Sequence, residues 1–279
     1  MREKTALYPC GLRNSKQQQT IIDVGERVRI GDTWVPVIAG PCSIESEDQI
    51  VGIAKALKQL GIRILRGGAF KPRTSPYEFQ GLGKEGLIYL KQASIITGLK
   101  TLTEVLDPRD VELVASYSDI LQIGSRSMQN FPLLREVGGV DKPVVLKRGF
   151  NATYKEFLLA AEYILSAGNK RVILCERGIR TSFSEMRFTL DLSIVPYLKQ
   201  RTHLPIIVDP SHGTGNSRLV IDMSKAAIAC GADGLLIEVH FRPKESFTDA
   251  NQVISISHLK KSLPGIDKVA RAIGRNIFS

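Results

Sequence analysis

Four residues that lie far apart in the sequence carry side chains that together could bind a divalent metal ion. They are Cys42, His212, Glu238 and Asp249, and each lies at or beyond the end of an apolar run typical of a β-strand. A thiolate, an imidazole and two carboxylates suit Mn, Fe, Co or Zn, and the residue types do not choose among these metals. Each residue also has a simpler structural interpretation, such as Cys42 as a small buried side chain or Glu238 as an ion-pair partner.

A second set of residues is basic and could bind anions. One strand-like run is followed by Arg66-Gly-Gly-Ala-Phe-Lys71-Pro-Arg73-Thr74-Ser75, and Arg126, Lys147 and Arg177 lie at the ends of three more runs. Arginine binds carboxylate or phosphate through paired N–H groups, lysine adds a mobile charge, and hydroxyl groups donate to phosphate oxygens. If these strand ends converge, they form a pocket for more than one anionic group. If they do not, Arg66–Ser75 is a solvated basic loop.

Strand-like and helix-like segments alternate along most of the chain. The strand candidates are 35–39, 62–66, 100–104, 120–123, 144–147, 172–176, 206–209 and 235–239, and helical patterns cover 46–60, 83–97, 108–116, 130–137, 153–167, 188–200, 218–230 and a stretch after 251. Eight such units without a linker predict a (β/α)8 TIM barrel, with a doubly wound open sheet as the competitor. A barrel gathers functional side chains at the C-terminal ends of its strands, where both sets lie.

The remaining segments are simpler. Residues 1–34 are predicted to form a polar arm and a β-hairpin with Gly25 at its turn, and residues 35–279 the barrel domain. No membrane span or signal core is visible, and the four cysteines have no paired spacing, so a cytoplasmic protein with reduced thiols is expected. His203 and His258 have no partners in sequence and are predicted to lie on the surface.

The net charge of +10 over 279 residues predicts an anionic partner: nucleic acid, a membrane surface or a phosphorylated metabolite. No basic tract interleaved with aromatic residues is present, which weakens the nucleic-acid alternative; that alternative requires charge clustered on an outer face. A metal-dependent aldolase or lyase would keep the barrel and the metal, but it would not explain so many separate anion sites. The residues therefore favour a metal-dependent enzyme that acts on phosphorylated, carboxylate-bearing metabolites.

At these residues the sequence closely resembles 3-deoxy-D-arabino-heptulosonate 7-phosphate (DAHP) synthases, in the compact group that also holds 3-deoxy-D-manno-octulosonate 8-phosphate synthases. The resemblance runs from about Trp34 to about Gln252 and rests on long motifs: Ala39-Gly-Pro-Cys-Ser-Ile-Glu-Ser46, Leu65-Arg-Gly-Gly-Ala-Phe-Lys-Pro-Arg-Thr-Ser75, Gln122-Ile-Gly-Ser-Arg126, Leu146-Lys-Arg-Gly149, Cys175-Glu-Arg-Gly178 and Asp209-Pro-Ser-His212.

The resemblance implies condensation of phosphoenolpyruvate with D-erythrose 4-phosphate, the first step of the shikimate route to aromatic amino acids. It implies a divalent metal on Cys42, His212, Glu238 and Asp249, with Asp209 supporting the metal end of the site. Arg66, Lys71, Arg126, Lys147 and Arg177 would bind phosphoenolpyruvate. Arg73, Thr74 and Ser75 would hold the aldose phosphate, Glu104 would position a water, and Lys71 is the candidate for proton transfer.

Two features bear on alternatives within this group. Octulosonate synthases, which use arabinose 5-phosphate, typically read Lys-Ala-Asn-Arg where this chain reads Lys71-Pro72-Arg73-Thr74, so Pro72 favours the four-carbon aldose. The segment around Asp249 departs from relatives, which usually have Gly-Pro after the aspartate, and this makes Asp249 the weakest member of the metal set. The resemblance implies a homotetramer or homodimer, as is usual in this family. The short N-terminal segment predicts no feedback inhibition through an attached domain.

Overall fold

Eight parallel strands close into a barrel in the computed structural model, which describes residues 8–13, 18–183 and 185–278. The strands are β3 (Val37–Gly40), β4 (Ile64–Arg66), β5 (Lys100–Glu104), β6 (Ile120–Ile123), β7 (Val144–Lys147), β8 (Val172–Glu176), β9 (Ile206–Val208) and β10 (Leu235–His240). Each pairs with the next, β10 pairs with β3, and Leu235 opposite Val208 completes the ring. This closure confirms the predicted (β/α)8 barrel and excludes the open sheet.

Helices connect the strands on the outside of the barrel. They are α1 (Glu47–Gln59), α2 (Lys84–Thr97), α3 (Val111–Tyr117), α4 (Phe131–Gly138), α5 (Tyr154–Ser166), α6 (Ile194–Lys199), α7 (Pro210–Thr214), α8 (Val220–Ala229) and α9 (Ile256–Ala272), and a short strand β11 (Ile254–Ser255) precedes α9. Capping side chains begin several of them: Ser46 accepts a hydrogen bond from the Gln49 amide, and Thr153 and Glu156 form a capping box.

Two helices differ from the sequence-based expectation. The helix predicted over 188–200 begins only at Ile194, because the preceding residues form a loop that includes an antiparallel bridge between Ile179 and Thr189. The short helix α7 was not predicted, and it carries His212.

The alternation of side chains along each strand explains how polar groups reach the mouth of the barrel. Val144 and Leu146 of β7 point outward into the layer shared with the helices, whereas Val145 points into the barrel interior. The next inward position at the C-terminal end of the strand is Lys147. In four other strands the same two-residue step leads from the inward apolar residues Ile64, Leu102, Ile207 and Leu236 to polar residues at or just beyond the strand end: Arg66, Glu104, Asp209 and Glu238.

The N-terminal hairpin packs against the bottom of the barrel interior. Its strands are β1 (Ile22–Gly25) and β2 (Val28–Ile30), and Ile22, Val28 and Ile30 join the apolar cluster inside the barrel. An ion pair between Glu26 and Lys100, at the start of β5, holds the turn there at 3.1 Å. The turn residues are Glu26 and Arg27, both at positive φ, one position beyond the predicted turn.

The prediction of a surface position for His203 is wrong. Only 7% of the residue is exposed, because its ring nitrogens contact the Thr20 hydroxyl and the Cys10 carbonyl, each at 2.7 Å. These contacts attach the described part of the N-terminal arm to the barrel; positions 1–7 and 14–17 of the predicted arm fall outside the described residues. Among the helices of the described ranges, none is long and apolar enough to cross a membrane.

Candidate active site

A cavity of about 270 Å³ opens at the C-terminal ends of the barrel strands. Six basic and three acidic side chains line it: Lys71, Arg73, Arg126, Lys147, Arg177 and Arg187, with Glu78, Glu104 and Asp249. His212 and Phe150 also reach its wall. All the predicted basic residues except Arg66, which is not part of the lining, thus converge on a concave site, as the enzyme interpretation requires, and not on an outer face of the barrel.

Three members of the predicted metal set lie together at one side of this cavity. One ligand atom each from Cys42, His212 and Asp249 can be chosen so that all three atoms lie within 4.8 Å of one another. The Cys42 thiol donates a hydrogen bond to Asp249 Oδ2 at 3.5 Å. Burial raises the pKa of Cys42 to about 12, so the thiol is protonated at neutral pH and a bound cation would have to displace its proton.

The orientation of His212 suits a metal ligand. Its Nδ1 lies 2.8 Å from Asp209 Oδ2, and burial lowers its pKa below the ordinary value. In the neutral ring, Nδ1–H donates to Asp209 and Nε2 keeps a lone pair directed away from it, which is the arrangement that fixes metal-bound histidines. Burial opposes the charge of Asp209, yet His212 and Lys147 hold the pKa of Asp209 well below its usual range.

Glu238, the fourth predicted ligand, lies beside this group. Its Oε1 is 3.5 Å from His212 Nε2 and accepts a hydrogen bond from Arg66 Nη1 at 2.8 Å. Its Oε2 accepts one from Gln252 Nε2 at 2.6 Å. Gln252 is 1% exposed, so this amide is a buried brace for the carboxylate.

Asp249, the weakest member of the metal set on sequence grounds, reaches the cavity. The backbone of Asp249 has φ 51°, in the left-handed region that aspartate tolerates better than most residues. Arg187 donates to Asp249 Oδ1 at 3.0 Å. The preceding residues are tied to the loop after β3, since Thr248 bonds Ser43 and the Phe247 amide donates to Glu45.

The basic residues nearest the metal set are almost fully buried. Arg66 is 2% exposed and donates to the Pro41 carbonyl and to Glu238, while its Nε is buried with no hydrogen-bond partner among the described residues. The Lys71 ammonium lies 3.1 Å from Cys42 Sγ. Burial alone would lower the pKa of Lys71, but the net direction is upward, and the Glu238 and Glu104 carboxylates nearby favour the charged ammonium. Lys71 is therefore a protonated amine that faces the cavity.

The other basic residues differ in how they are held. Lys147 is paired with Asp209 at 2.7 Å, deep in the barrel. Arg177 is 3% exposed and makes one long hydrogen bond, of 3.5 Å, to the Gly178 carbonyl. Burial lowers the pKa of Arg177 to about 10, which still leaves it charged at neutral pH.

The predicted aldose-binding residues lie on the rim after β4. Arg126 contacts the Thr74 hydroxyl at 3.3 Å, and Arg73 pairs with Glu78 at 2.8 Å. Ser75 does not line the cavity; its hydroxyl accepts from the Tyr77 amide instead.

Glu104 lines the cavity and is hydrogen-bonded to the buried Gln122, which the sequence did not indicate as a site residue. Gln122 Nε2 donates to Glu104 Oε2 at 3.0 Å, and Gln122 Oε1 is buried without a partner in the described ranges. A Cβ on residue 124 would lie 2.0 Å from Glu104 Oε1, so the glycine there is needed for the carboxylate to reach its place. Glu104 and Gln122 can together accept and orient a small polar molecule such as water.

Other site residues gave no clear signal in the sequence. Arg187 lies just before the segment expected to be helical, and Gln252 and Phe150 belong to no charged pattern. Conversely, Arg148 follows a strand end but faces away from the cavity, where it pairs with Glu176 and Asp191 at 3.0 Å each. Sequence position alone did not separate this structural arginine from the cavity-lining ones.

The fold and these two clusters define a (β/α)8 barrel protein that combines a candidate metal site with a cation-lined anion pocket. The sequence matches the DAHP synthetase I family over residues 17–273, and the chain belongs to this family.

Individual relatives agree with this assignment. A phospho-2-dehydro-3-deoxyheptonate aldolase of Thermotoga maritima is 49% identical over 96% of this chain and 79% of the relative. A 2-dehydro-3-deoxyphosphooctonate aldolase of Syntrophotalea carbinolica is 32% identical over 84% of this chain and 90% of its own. The solved structure of a truncated form of 3-deoxy-D-arabino-heptulosonate 7-phosphate synthase from Thermotoga maritima superposes with a TM-score of 0.91 at 45% identity, covering 97% of this chain and 99% of that one.

Proposed function

We propose that this chain catalyses the condensation of phosphoenolpyruvate, D-erythrose 4-phosphate and water to DAHP and inorganic phosphate, in the shikimate pathway. The observation that carries the proposal is the meeting of a candidate metal cluster and six cationic side chains in one cavity. Two phosphorylated substrates need separate anion sites, and an aldehyde that must be attacked needs an electrophilic partner. Membership of the DAHP synthetase I family supports the same reaction.

Phosphoenolpyruvate is assigned to the deep part of the cavity. Arg66, Lys71, Lys147 and Arg177 are buried cations that would bind its carboxylate and phosphate, with Arg126 closing the phosphate side. Erythrose 4-phosphate is assigned to the rim, where Arg73 and Thr74 would hold its phosphate. This arrangement brings C3 of phosphoenolpyruvate towards the aldehyde carbon near the metal set, and holding two reactants in register supplies much of the rate enhancement.

Cys42, His212 and Asp249, whose ligand atoms cluster, would hold a divalent metal, with Glu238 beside them as the fourth ligand. The donor set is mixed, a single histidine nitrogen is oriented by Asp209, and both carboxylates have bracing partners in Gln252 and Arg187. When bound, a metal of the Mn, Fe, Co or Zn group supplies Lewis-acid polarisation of the aldehyde oxygen. The ligand types leave the choice among these metals open.

The protein groups near the reacting atoms have separate roles. Lys71 is a protonated amine in the cavity, and we assign it proton donation to the oxygen that develops charge as the new C–C bond forms. Glu104, braced by Gln122, would hold the water that adds to C2 of phosphoenolpyruvate. Lys147, Arg126 and Arg177 would stabilise the phosphate as it leaves. A Lys71→Met variant with full turnover and an unchanged pH profile would contradict the first assignment.

The sugar substrate is tested by phosphate release from phosphoenolpyruvate. Erythrose 4-phosphate and arabinose 5-phosphate are compared as the second substrate, each with and without exhaustive chelation and with metal restored. We expect turnover with the four-carbon sugar, loss of turnover on chelation and recovery on adding metal. Turnover only with arabinose 5-phosphate, or turnover unaffected by complete metal removal, would overturn the proposal.

The same interpretation leads to a cellular location and an oligomeric state for the enzyme. We place it in the cytoplasm, where its phosphorylated substrates are found, and we propose a homotetramer or homodimer. Sedimentation analysis of the purified chain tests the assembly, and a monomer at micromolar concentration would contradict it.

A further inference from the structure

Phe150 forms part of the cavity wall beside the predicted phosphate-binding arginines, and it is one ring of an aromatic pair. Phe150 follows β7, and its ring stacks on Phe188 of the loop after β8, with centroids 5.2 Å apart and an angle of 17° between the rings. The guanidinium carbons of three arginines lie close to the Phe150 centroid: Arg177 at 4.9 Å, Arg180 at 5.3 Å and Arg126 at 5.4 Å. Arg177 is also 4.0 Å from the centroid of Phe188.

These arginines lack the partners that normally hold a guanidinium in place. Within residues 8–13, 18–183 and 185–278, no carboxylate lies within ion-pair distance of Arg126, Arg177 or Arg180. Among the described residues, the guanidinium of Arg126 has only the Thr74 hydroxyl as an acceptor, at 3.3 Å, and that of Arg177 has only the Gly178 carbonyl, at 3.5 Å. Lys147, which lines the same cavity, and the buried Arg66 each have an acidic partner instead.

An arginine that is held by an aromatic ring binds an anion differently from one that is held by a carboxylate. A carboxylate that positions an arginine occupies its N–H donors and cancels its charge, and it repels an incoming phosphate. The face of an aromatic ring attracts the cation through its quadrupole and leaves the N–H groups at the guanidinium edge unbonded. Arginines held by rings therefore stay available to a doubly charged ligand.

Backbone hydrogen bonds fix the position of Phe150 relative to the loop after β8. The Phe150 carbonyl accepts a hydrogen bond from the Arg180 amide at 2.7 Å, and Ile179 pairs with Thr189 next to Phe188. Phe188 is 5% exposed, so it offers Phe150 a firm packing surface. The loops after β7 and β8 are thus joined at the aromatic pair.

We propose that Phe150, seated on Phe188, is a positioning residue that preorganises Arg126 and Arg177 for the phosphate group of the substrate. It acts through these arginines and not by contact with the reacting atoms. The inference rests on the proposed function only in taking the ligand to carry a phosphate, and its binding test needs no turnover.

The test is calorimetric titration of the metal-stripped chain with inorganic phosphate at low ionic strength. Phe150→Leu removes the ring, Phe150→Met is a second ring-free variant of similar volume, and Phe150→Tyr keeps the ring. We expect about a tenfold loss of phosphate affinity in the two ring-free variants, within the range of cation–π contacts, and near-parental affinity in Phe150→Tyr. In the metal-loaded enzyme, KM for phosphoenolpyruvate should rise in the ring-free variants while kcat changes little.

Tyr163→Leu is the matched control, since Tyr163 stacks on Phe131 at 4.5 Å and lies 5.5 Å from the Arg135 guanidinium, outside the cavity lining. Its phosphate affinity should equal that of the parent. Unchanged phosphate affinity in both ring-free variants, a loss in Phe150→Tyr equal to theirs, or an equal loss in Tyr163→Leu would overturn the proposal. If the chain turned over neither sugar yet showed the expected binding pattern, the proposed function would fail and this inference would stand.

Discussion

The two sides of the cavity hold their charges in opposite ways. On the metal side, defined by Cys42, His212, Glu238 and Asp249, every acidic group has a partner within the chain. On the phosphate side, defined by Arg126 and Arg177, the cations are held by aromatic rings and have no acidic partner among the described residues. The Lys147–Asp209 pair lies between the two sides.

This difference indicates what each side is built to do. A metal site must hold its ligands in one geometry, and bracing hydrogen bonds accomplish that before a metal arrives. A phosphate site must leave donors unbonded until the ligand enters, because each donor already satisfied would have to be released first. Substitutions on the metal side should therefore change metal binding or stability, and those on the phosphate side should change substrate affinity.

The largest effect is expected from Cys42→Ala. Loss of a ligand should abolish stoichiometric metal binding and lower kcat about a thousandfold, since Lewis-acid stabilisation contributes several kcal/mol and each 1.4 kcal/mol is a factor of ten. Metal content after dialysis and steady-state kinetics measure both. Cys175→Ala is the control: this second buried thiol of the barrel interior lies outside the metal set, and its loss should leave metal stoichiometry unchanged. Full metal occupancy in Cys42→Ala would contradict the assignment.

The next effect is on folding. Lys147→Met leaves the buried Asp209 carboxylate without its cation, and removing one partner of a buried pair costs about 3–5 kcal/mol of unfolding free energy. Denaturant titration measures this loss. Lys225→Met removes the lysine of a surface pair with Asp222 and should change stability by about 0.5 kcal/mol or less. Equal losses in the two variants would show that the Lys147 pair is not structural.

A smaller effect is expected at the brace of Glu238. Gln252→Leu removes the 2.6 Å hydrogen bond to Oε2, and loss of an outer hydrogen bond typically lowers metal affinity about 10- to 100-fold. Competition with a chromophoric chelator measures the affinity, and Gln200→Leu at the exposed end of α6 is the control. If the metal affinity of Gln252→Leu matched that of the control, Gln252 would have no role in metal binding.

The smallest effect is expected from Arg126→Gln on the phosphate side. KM for phosphoenolpyruvate should rise about tenfold, as for one charged hydrogen bond, and stability should stay within about 0.5 kcal/mol because no acid loses a partner. Kinetics and denaturant titration report the two quantities. Arg135→Gln, on the surface of α4, should change neither. If Arg126→Gln lowered the stability of the protein but left KM unchanged, Arg126 would behave like a residue of the metal side, and the comparison would be wrong.

Regular patterns made the fold predictable from the sequence. Strand bounds for 120–123, 144–147 and 172–176 match the structure because each is a short, mostly apolar run, and those for 100–104 match although Leu102 is its only apolar residue. The barrel then brought Cys42, His212 and Asp249 together. The unpredicted parts depend on tertiary contacts: α7 is a single short turn, His203 is buried by a distant segment, and Gln252 and Phe150 act through neighbours that no local pattern indicates.

The independence of the two sides is the central claim, and titration of the metal-stripped chain with phosphoenolpyruvate tests it most directly. We expect phosphoenolpyruvate to bind with an affinity within about threefold of that of the metal-loaded enzyme, a coupling of about 0.7 kcal/mol or less, because Arg126 and Arg177, which would hold its phosphate, make no hydrogen bond or ion pair with the predicted metal ligands among the described residues. No product should form with erythrose 4-phosphate until metal is restored. Loss of phosphoenolpyruvate binding on removal of the metal would contradict the account.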